Sequence, residues 1–207
     1  MANVLDIFKT NFGLSLRNNL LLTICYLLLI PIVRGTANLD AVRSAECLEQ
    51  SVILIGIILI VPLNAPEQSK AIQEIIGTKK FPQWIILLIR LAMTLIALII
   101  LTGVFAGIMK GNNCTFPVIP YVTGTVVSEL ALGSVGFLVS VLSNSFIAGY
   151  LTAMGYFLFN FLGDISSKSI FYLFSMGTEN YIVKLWLALF SVLLIAISLI
   201  YEKKKSY

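Results

Sequence analysis

The fold class this sequence predicts is an all-α integral membrane protein, and three observations predict it. Hydrophobic residues make up 58% of the 207 residues and charged residues 12%, about half the charged share of an ordinary soluble domain. Apolar runs approach or reach the roughly 20 residues that cross a bilayer as a helix. The one sizeable hydrophilic stretch between two apolar runs that also reads as a helix is Ala65–Gln83. Residues 1–207 therefore read as a single transmembrane domain with little soluble mass. The net charge of +4 argues nothing about nucleic acid, and its distribution among loops carries the information.

The elements follow in order. Val4–Leu16 mixes Val4, Leu5, Ile7, Phe8, Phe12 and Leu16 with Asp6, Lys9 and Asn11. That is too polar to cross and suits an interfacial helix over 1–17. Six spans are predicted: Leu20–Val33, Cys47–Leu63, Trp84–Met109, Thr123–Leu142, Phe146–Leu162 and Tyr181–Tyr201. Arg17 snorkels before the first, and Pro31 lies near its far end. Trp84 anchors the third at the interface, with Arg90 in its first two turns. Ser143-Asn144-Ser145 joins the fourth and fifth in a tight hairpin. Gly133, Gly136, Gly149 and Gly155 allow close helix approach. The apolar but broken segment over 163–180 holds Ile170–Phe174 and then Met176–Asn180. It is too short to cross, so it reads as a pair of short re-entrant or interfacial helices, or as a surface helix with its aromatics at headgroup level.

The linker 65–83 carries the most specific pattern. Asn64 is placed to cap its start, and Pro66 suits a first turn, where a missing N–H costs nothing. Ile72, Ile75 and Ile76 share one face, while Lys70, Gln73 and Glu74 point elsewhere. Gly77 ends the helix before Lys79 and Lys80. Such a helix either docks a soluble partner or lies on lipid headgroups.

Counting Lys and Arg sets the orientation. With the N-terminus inside, Lys9, Arg17, Lys70, Lys79, Lys80, Arg90, Lys203, Lys204 and Lys205 fall on the inner side, against Arg34, Arg43, Lys110, Lys168 and Lys184 outside. The excess places both termini in the cytoplasm, with Arg34 counting against it. Arg17 and the first apolar run resemble a signal peptide, but Asp6 and the lack of a small-x-small site directly after the run argue for a retained span.

Several chemistries are excluded. The chain has no histidine, which removes His-based metal sites and catalytic dyads. It has no G-x-x-x-x-G-K-[ST] run of its own, and its three cysteines cannot make a four-thiolate zinc site. Cys25 reads as a packed apolar residue. Cys47 and Cys114 fall on one side and could pair in an oxidising compartment. Asn113-Cys114-Thr115 matches a glycosylation sequon, which matters only in a eukaryotic secretory route. Glu129 reads as the sole acidic residue inside a span. It is either a translocation-path or proton-linked group, or a carboxylate near the outer boundary bonded to Ser128, Thr125 or another span. Asn160 is the other intramembrane polar candidate.

The whole layout resembles the permease subunit of type-2 ABC exporters. The resemblance rests on Ile7-Phe8-Lys9-Thr10-Asn11-Phe12 leading into Ser15-Leu16-Arg17-Asn18, and on six spans with both ends inside. It rests also on Pro66-Glu67 through Glu74-Ile75-Ile76-Gly77-Thr78 and then Lys79-Lys80-Phe81-Pro82-Gln83-Trp84, and on the Phe171–Asn180 segment before the last span. The outer loop after the third span is shorter than in that family, and the chain is unusually compact. The resemblance implies a bacterial multi-pass plasma-membrane protein that is not itself an enzyme and carries no cofactor. Two permease halves, identical or different, would pair through the first and fifth spans in the lipid bilayer. Each would dock a separate ATP-binding cassette ATPase holding ATP and magnesium. Ile72, Ile75 and Ile76 would enter a groove on that ATPase, with Glu67, Lys70, Glu74, Lys79 and Lys80 setting register by charge. The exported substrate would be a peptide, drug, lipid or glycan.

Two other classes compete. A self-sufficient carrier or channel calls for an internal repeat, broken helices and more intramembrane polar residues than Glu129 and Asn160 supply. An immunity or assembly protein acting by binding would share the spans without needing a coupling helix. No acid, base and nucleophile set supports a membrane enzyme.

Overall fold

Length and apolarity leave the chain little choice but helices, because hydrocarbon offers no partner for a free backbone N–H or C=O. In the computed structural model, which describes residues 16–68, 83–163, 169–178 and 181–205, helix dominates and no strand occurs among those residues. The proposed interfacial helix over 1–17 falls almost wholly outside the described residues.

Helix α1 spans Arg17–Arg34. Pro31 lies in its last turn, and Gly35 ends it at φ 71°, a conformation glycine adopts without strain, with its N–H on the Pro31 carbonyl at 3.1 Å. Helix α2, Ala41–Cys47, is capped by Asp40, whose side chain accepts from the Arg43 N–H at 2.9 Å. It runs straight into a π-helical turn, Leu48–Val52, then α3, Leu54–Ile60, then a 3₁₀ stretch, Val61–Gln68. The second apolar segment is thus a rod from 41 to 68 with several changes of pitch. It is longer at both ends than the predicted Cys47–Leu63.

Asn64 does not begin a separate helix. It lies inside the 3₁₀ stretch, buried, with its amide donating to Glu202 Oε1 at 2.9 Å. Val61 and Leu63, buried in two separate apolar clusters, keep this turn in the bundle, and the Asn64 side chain meets a carboxylate instead of its own backbone.

Helix α4 spans Gln83–Gly111, α5 Val118–Ser143, α6 Phe146–Leu162 and α7 Tyr181–Lys205. Among the described residues, five segments are long and apolar enough to cross a membrane: α1, residues 41–66 of the rod, α4, α5 and α7. Helix α6 is apolar but has 17 residues, about 26 Å at 1.5 Å per residue. At the α5–α6 turn, Asn144 takes the left-handed conformation and Ser145 accepts from the Ala148 N–H, the tight hairpin expected from Ser143–Ser145.

The rod and α5 form the centre, with α6, α7 and α4 packed against α5. Of the rod's most apolar window 72% is buried, against 17% for α1, so α1 is peripheral. Glycine sets the closest approaches: a Cβ at Gly133 would meet the Gly56 carbonyl at 2.8 Å, and one at Gly136 the Gly149 carbonyl at 2.8 Å. Gly155, expected to act likewise, faces open space. The outward faces keep Leu28, Ile32, Leu151, Leu162, Leu185 and Val192 exposed. An apolar exterior that continuous requires a hydrocarbon surround, so the protein is membrane-embedded.

The expected pair of short helices before α7 is not what residues 169–178 form. They make an irregular strap whose only helical part is a 3₁₀ turn at Met176–Thr178. Side chains from neighbouring helices bond the Phe171 and Leu173 carbonyls and the Leu173 and Met176 N–H groups, which stand in for a helix's internal bonds there.

Candidate functional site

Polar groups gather at three levels of the bundle. The first is the linker end, where the rod finishes. Here Arg90 of α4 donates to the Leu63 carbonyl at 3.0 Å, and Asn64 bonds Glu202 of α7. Gln68 donates to Ser140 Oγ at 3.2 Å and accepts the Phe146 N–H at 2.8 Å, bridging the end of α5 to the start of α6. Lys203 lies over the Trp84 ring at 5.6 Å. The root of the linker is therefore fastened to α4, α5, α6 and α7 at once. Of the proposed docking residues, Lys70, Ile72, Glu74, Ile75, Ile76, Lys79 and Lys80 lie outside the described residues. Glu67 sits in the 3₁₀ stretch.

The second level is mid-membrane. Because α5 starts at Val118 instead of near Thr123, Glu129 is eleven residues into a 26-residue helix, far from the boundary. Its side chain is fully buried. Oε1 accepts from Thr102 Oγ1 of α4 at 2.8 Å, while Oε2 has no hydrogen-bond partner among the described residues. The partner is thus another span, not Ser128 or Thr125. Ser128 donates to the Leu173 carbonyl of the segment before α7, and Thr125 bonds the Tyr121 carbonyl within its own helix.

The third level is the strap end. Glu49, in the π turn, and Lys184, in α7, form a buried ion pair at 2.6 Å. Lys184 Nζ also donates to Ser128 Oγ and to the Leu173 carbonyl, and Glu49 accepts the Met176 N–H at 3.0 Å. Asn160 of α6 takes the Leu173 N–H at 3.1 Å, and Tyr156 donates to the Phe171 carbonyl at 2.7 Å. Asn160 thereby acts as an anchor for the strap's backbone. Arg34 at the end of α1 donates to the Glu46 carbonyl, Ser51 Oγ and Gln50 Oε1, which pins α1 to the rod.

Glu129 is therefore not the only acidic side chain within a span, since Glu49 is equally enclosed. The signal was present: Glu49 lies inside the predicted Cys47–Leu63, and Lys184 inside Tyr181–Tyr201. Counting Lys184 as a loop charge concealed that the two could neutralise each other. Cys47 and Cys114 are buried free thiols, and Cys114 donates to the Thr36 carbonyl at 3.4 Å. Among the described residues no group of three or more His, Cys, Asp or Glu side chains is arranged to hold a metal ion.

Comparison with protein-family models, characterised proteins and solved structures finds no match.

Proposed function

We propose that this chain is the membrane half of an ATP-driven exporter of the type-2 ABC class. In this reading all six helical segments cross the bacterial plasma membrane with both termini in the cytoplasm. Two permease subunits pair, and each docks a separate ATPase through residues 65–83. The observation that carries it is the fastening at the linker end. Leu63, Asn64 and Gln68 reach four other helices through direct hydrogen bonds, so a displacement applied to the linker is passed to most of the bundle. A loosely tethered loop would absorb that displacement instead. The sequence puts Lys70, Lys79 and Lys80 in the linker, and Lys203 and Lys204 directly follow Glu202, the partner of Asn64 at the linker's root, which supports placing this end in the cytoplasm. The cargo fits the range of peptides, drugs and lipids.

Purification in mild detergent tests this directly. A second polypeptide carrying a phosphate loop should accompany the chain. Recovery of this chain alone, under conditions that keep other membrane complexes whole, would transfer support to a self-sufficient carrier. That second reading has its own observation in Glu129, whose Oε2, midway along α5 and without a partner among the described residues, is an expensive group for a purely structural helix to keep.

A further inference from the structure

The strap at 169–178 is held by two kinds of contact. Asn160 and Tyr156 satisfy its backbone with neutral groups, and neutral groups would suffice throughout. The Glu49–Lys184 pair is different. A buried ion pair adds little net stability over apolar side chains of similar volume, yet stripping either partner is costly. What it contributes is one geometry that is either made or broken. Lys184 has three ammonium hydrogens and three acceptors: Glu49 Oε1, Ser128 Oγ and the Leu173 carbonyl. It joins the rod, α5, the strap and α7 at a single atom. Glu49 adds the strap's Met176 N–H.

Two further features sit beside the pair. Glu49 lies in the π turn, where the Ile53 N–H reaches back five residues to the Leu48 carbonyl at 3.2 Å. Such a turn lets a helix change register locally, and π turns concentrate at functional positions. Met176 fills the space that Gly124 leaves open on α5, where a Cβ would lie 2.5 Å from its Sδ. The strap is thus seated by a side chain in a notch and secured by a charge pair.

We propose that Glu49 and Lys184 form a conformational catch that holds the strap in the Gly124 notch, and that this end of the bundle opens to water by parting that pair. When the pair separates, both charges gain water, the rod is released from α7 at the π turn, and the strap lifts with Met176. The catch operates in the same way whether the driving force is a partner ATPase or an ion gradient, so it does not depend on the exporter reading.

The test uses the full chain in phospholipid vesicles, with the three natural cysteines replaced by alanine. Ser175→Cys, fully buried in the strap, is the reporter, read by its rate of reaction with a water-soluble maleimide. Phe137→Cys, fully buried in the core, reports general loosening. With the pair intact both sites should react slowly. Glu49→Gln, and separately Lys184→Met, should speed reaction at 175 by about tenfold or more as the open population rises, with position 137 still protected. The catch is disproved if position 175 reacts at one rate whatever residues stand at 49 and 184. It is equally disproved if 175 and 137 become reactive together, since the pair would then only hold the fold.

Discussion

At Gly56 the backbone of α3 lies so close to α5 that an added methyl group would run into the carbonyl of Glu129. Relief would require the two central elements to move apart, because backbone, unlike a side-chain tip, cannot swing away. Gly56→Ala should therefore destabilise the protein by about 1–3 kcal/mol. Gly155, in the middle of α6, has nothing within 4 Å of the same position. Gly155→Ala should be neutral or gain up to about 1 kcal/mol from helix propensity. Thermal denaturation of both variants in one detergent makes the comparison, and equal losses at the two positions would contradict the packing described. Gly133 and Gly149 were readable as packing residues from their placement in apolar helices. The contrast between Gly56 and Gly155 was not, since it depends on which face each helix turns inward.

At the scale of the element, the 3₁₀ end of the rod is the part whose role reaches beyond packing. Gln68 uses both ends of its amide, one on Ser140 and one on the Phe146 N–H. Gln68→Ala removes both, leaving a helix start less well satisfied, and should cost about 1 kcal/mol of stability. If the linker also transmits force, the same variant should weaken the link between ATP turnover and transport more than its stability loss explains. Ile75→Asp tests the docking face from the other side. It places a charge where an apolar contact is proposed, so stimulated ATP turnover should vanish while membrane insertion persists. Normal coupling in Ile75→Asp would remove that face from the exporter reading. The helix expected from Ile72, Ile75 and Ile76 lies outside the described residues. The tying of the linker's root to α5, α6 and α7 was not legible, because Asn64 read as a local cap and nothing near Gln68 in sequence points to Ser140 or Phe146.

For the whole molecule, the orientation is the property with the widest consequences. Lys70→Cys in a cysteine-free chain should react with a membrane-impermeant maleimide only where the cytoplasmic face is exposed, as in inverted vesicles. Labelling from outside intact cells would invert the topology and leave the linker with no ATPase to meet. The positive-inside count that supports the cytoplasmic placement is itself modified by the fold. Lys184 is buried against Glu49, and Arg34 is spent on the first turns of the rod. Lys184, counted on the outer side, is therefore not a loop charge facing lipid headgroups, whereas Arg34 stays exposed while it bonds the rod.

Membrane residence, helical class and the rough limits of each apolar segment were determined by the amino-acid sequence alone. The reason is that a bilayer imposes length and internal hydrogen bonding on any segment that crosses it. Tertiary structure alone decided which polar side chains meet. Glu49 finds Lys184, Asn64 finds Glu202 and Glu129 finds Thr102 across long stretches of chain. Those pairings depend on the rotation and depth of neighbouring helices, which no local pattern encodes.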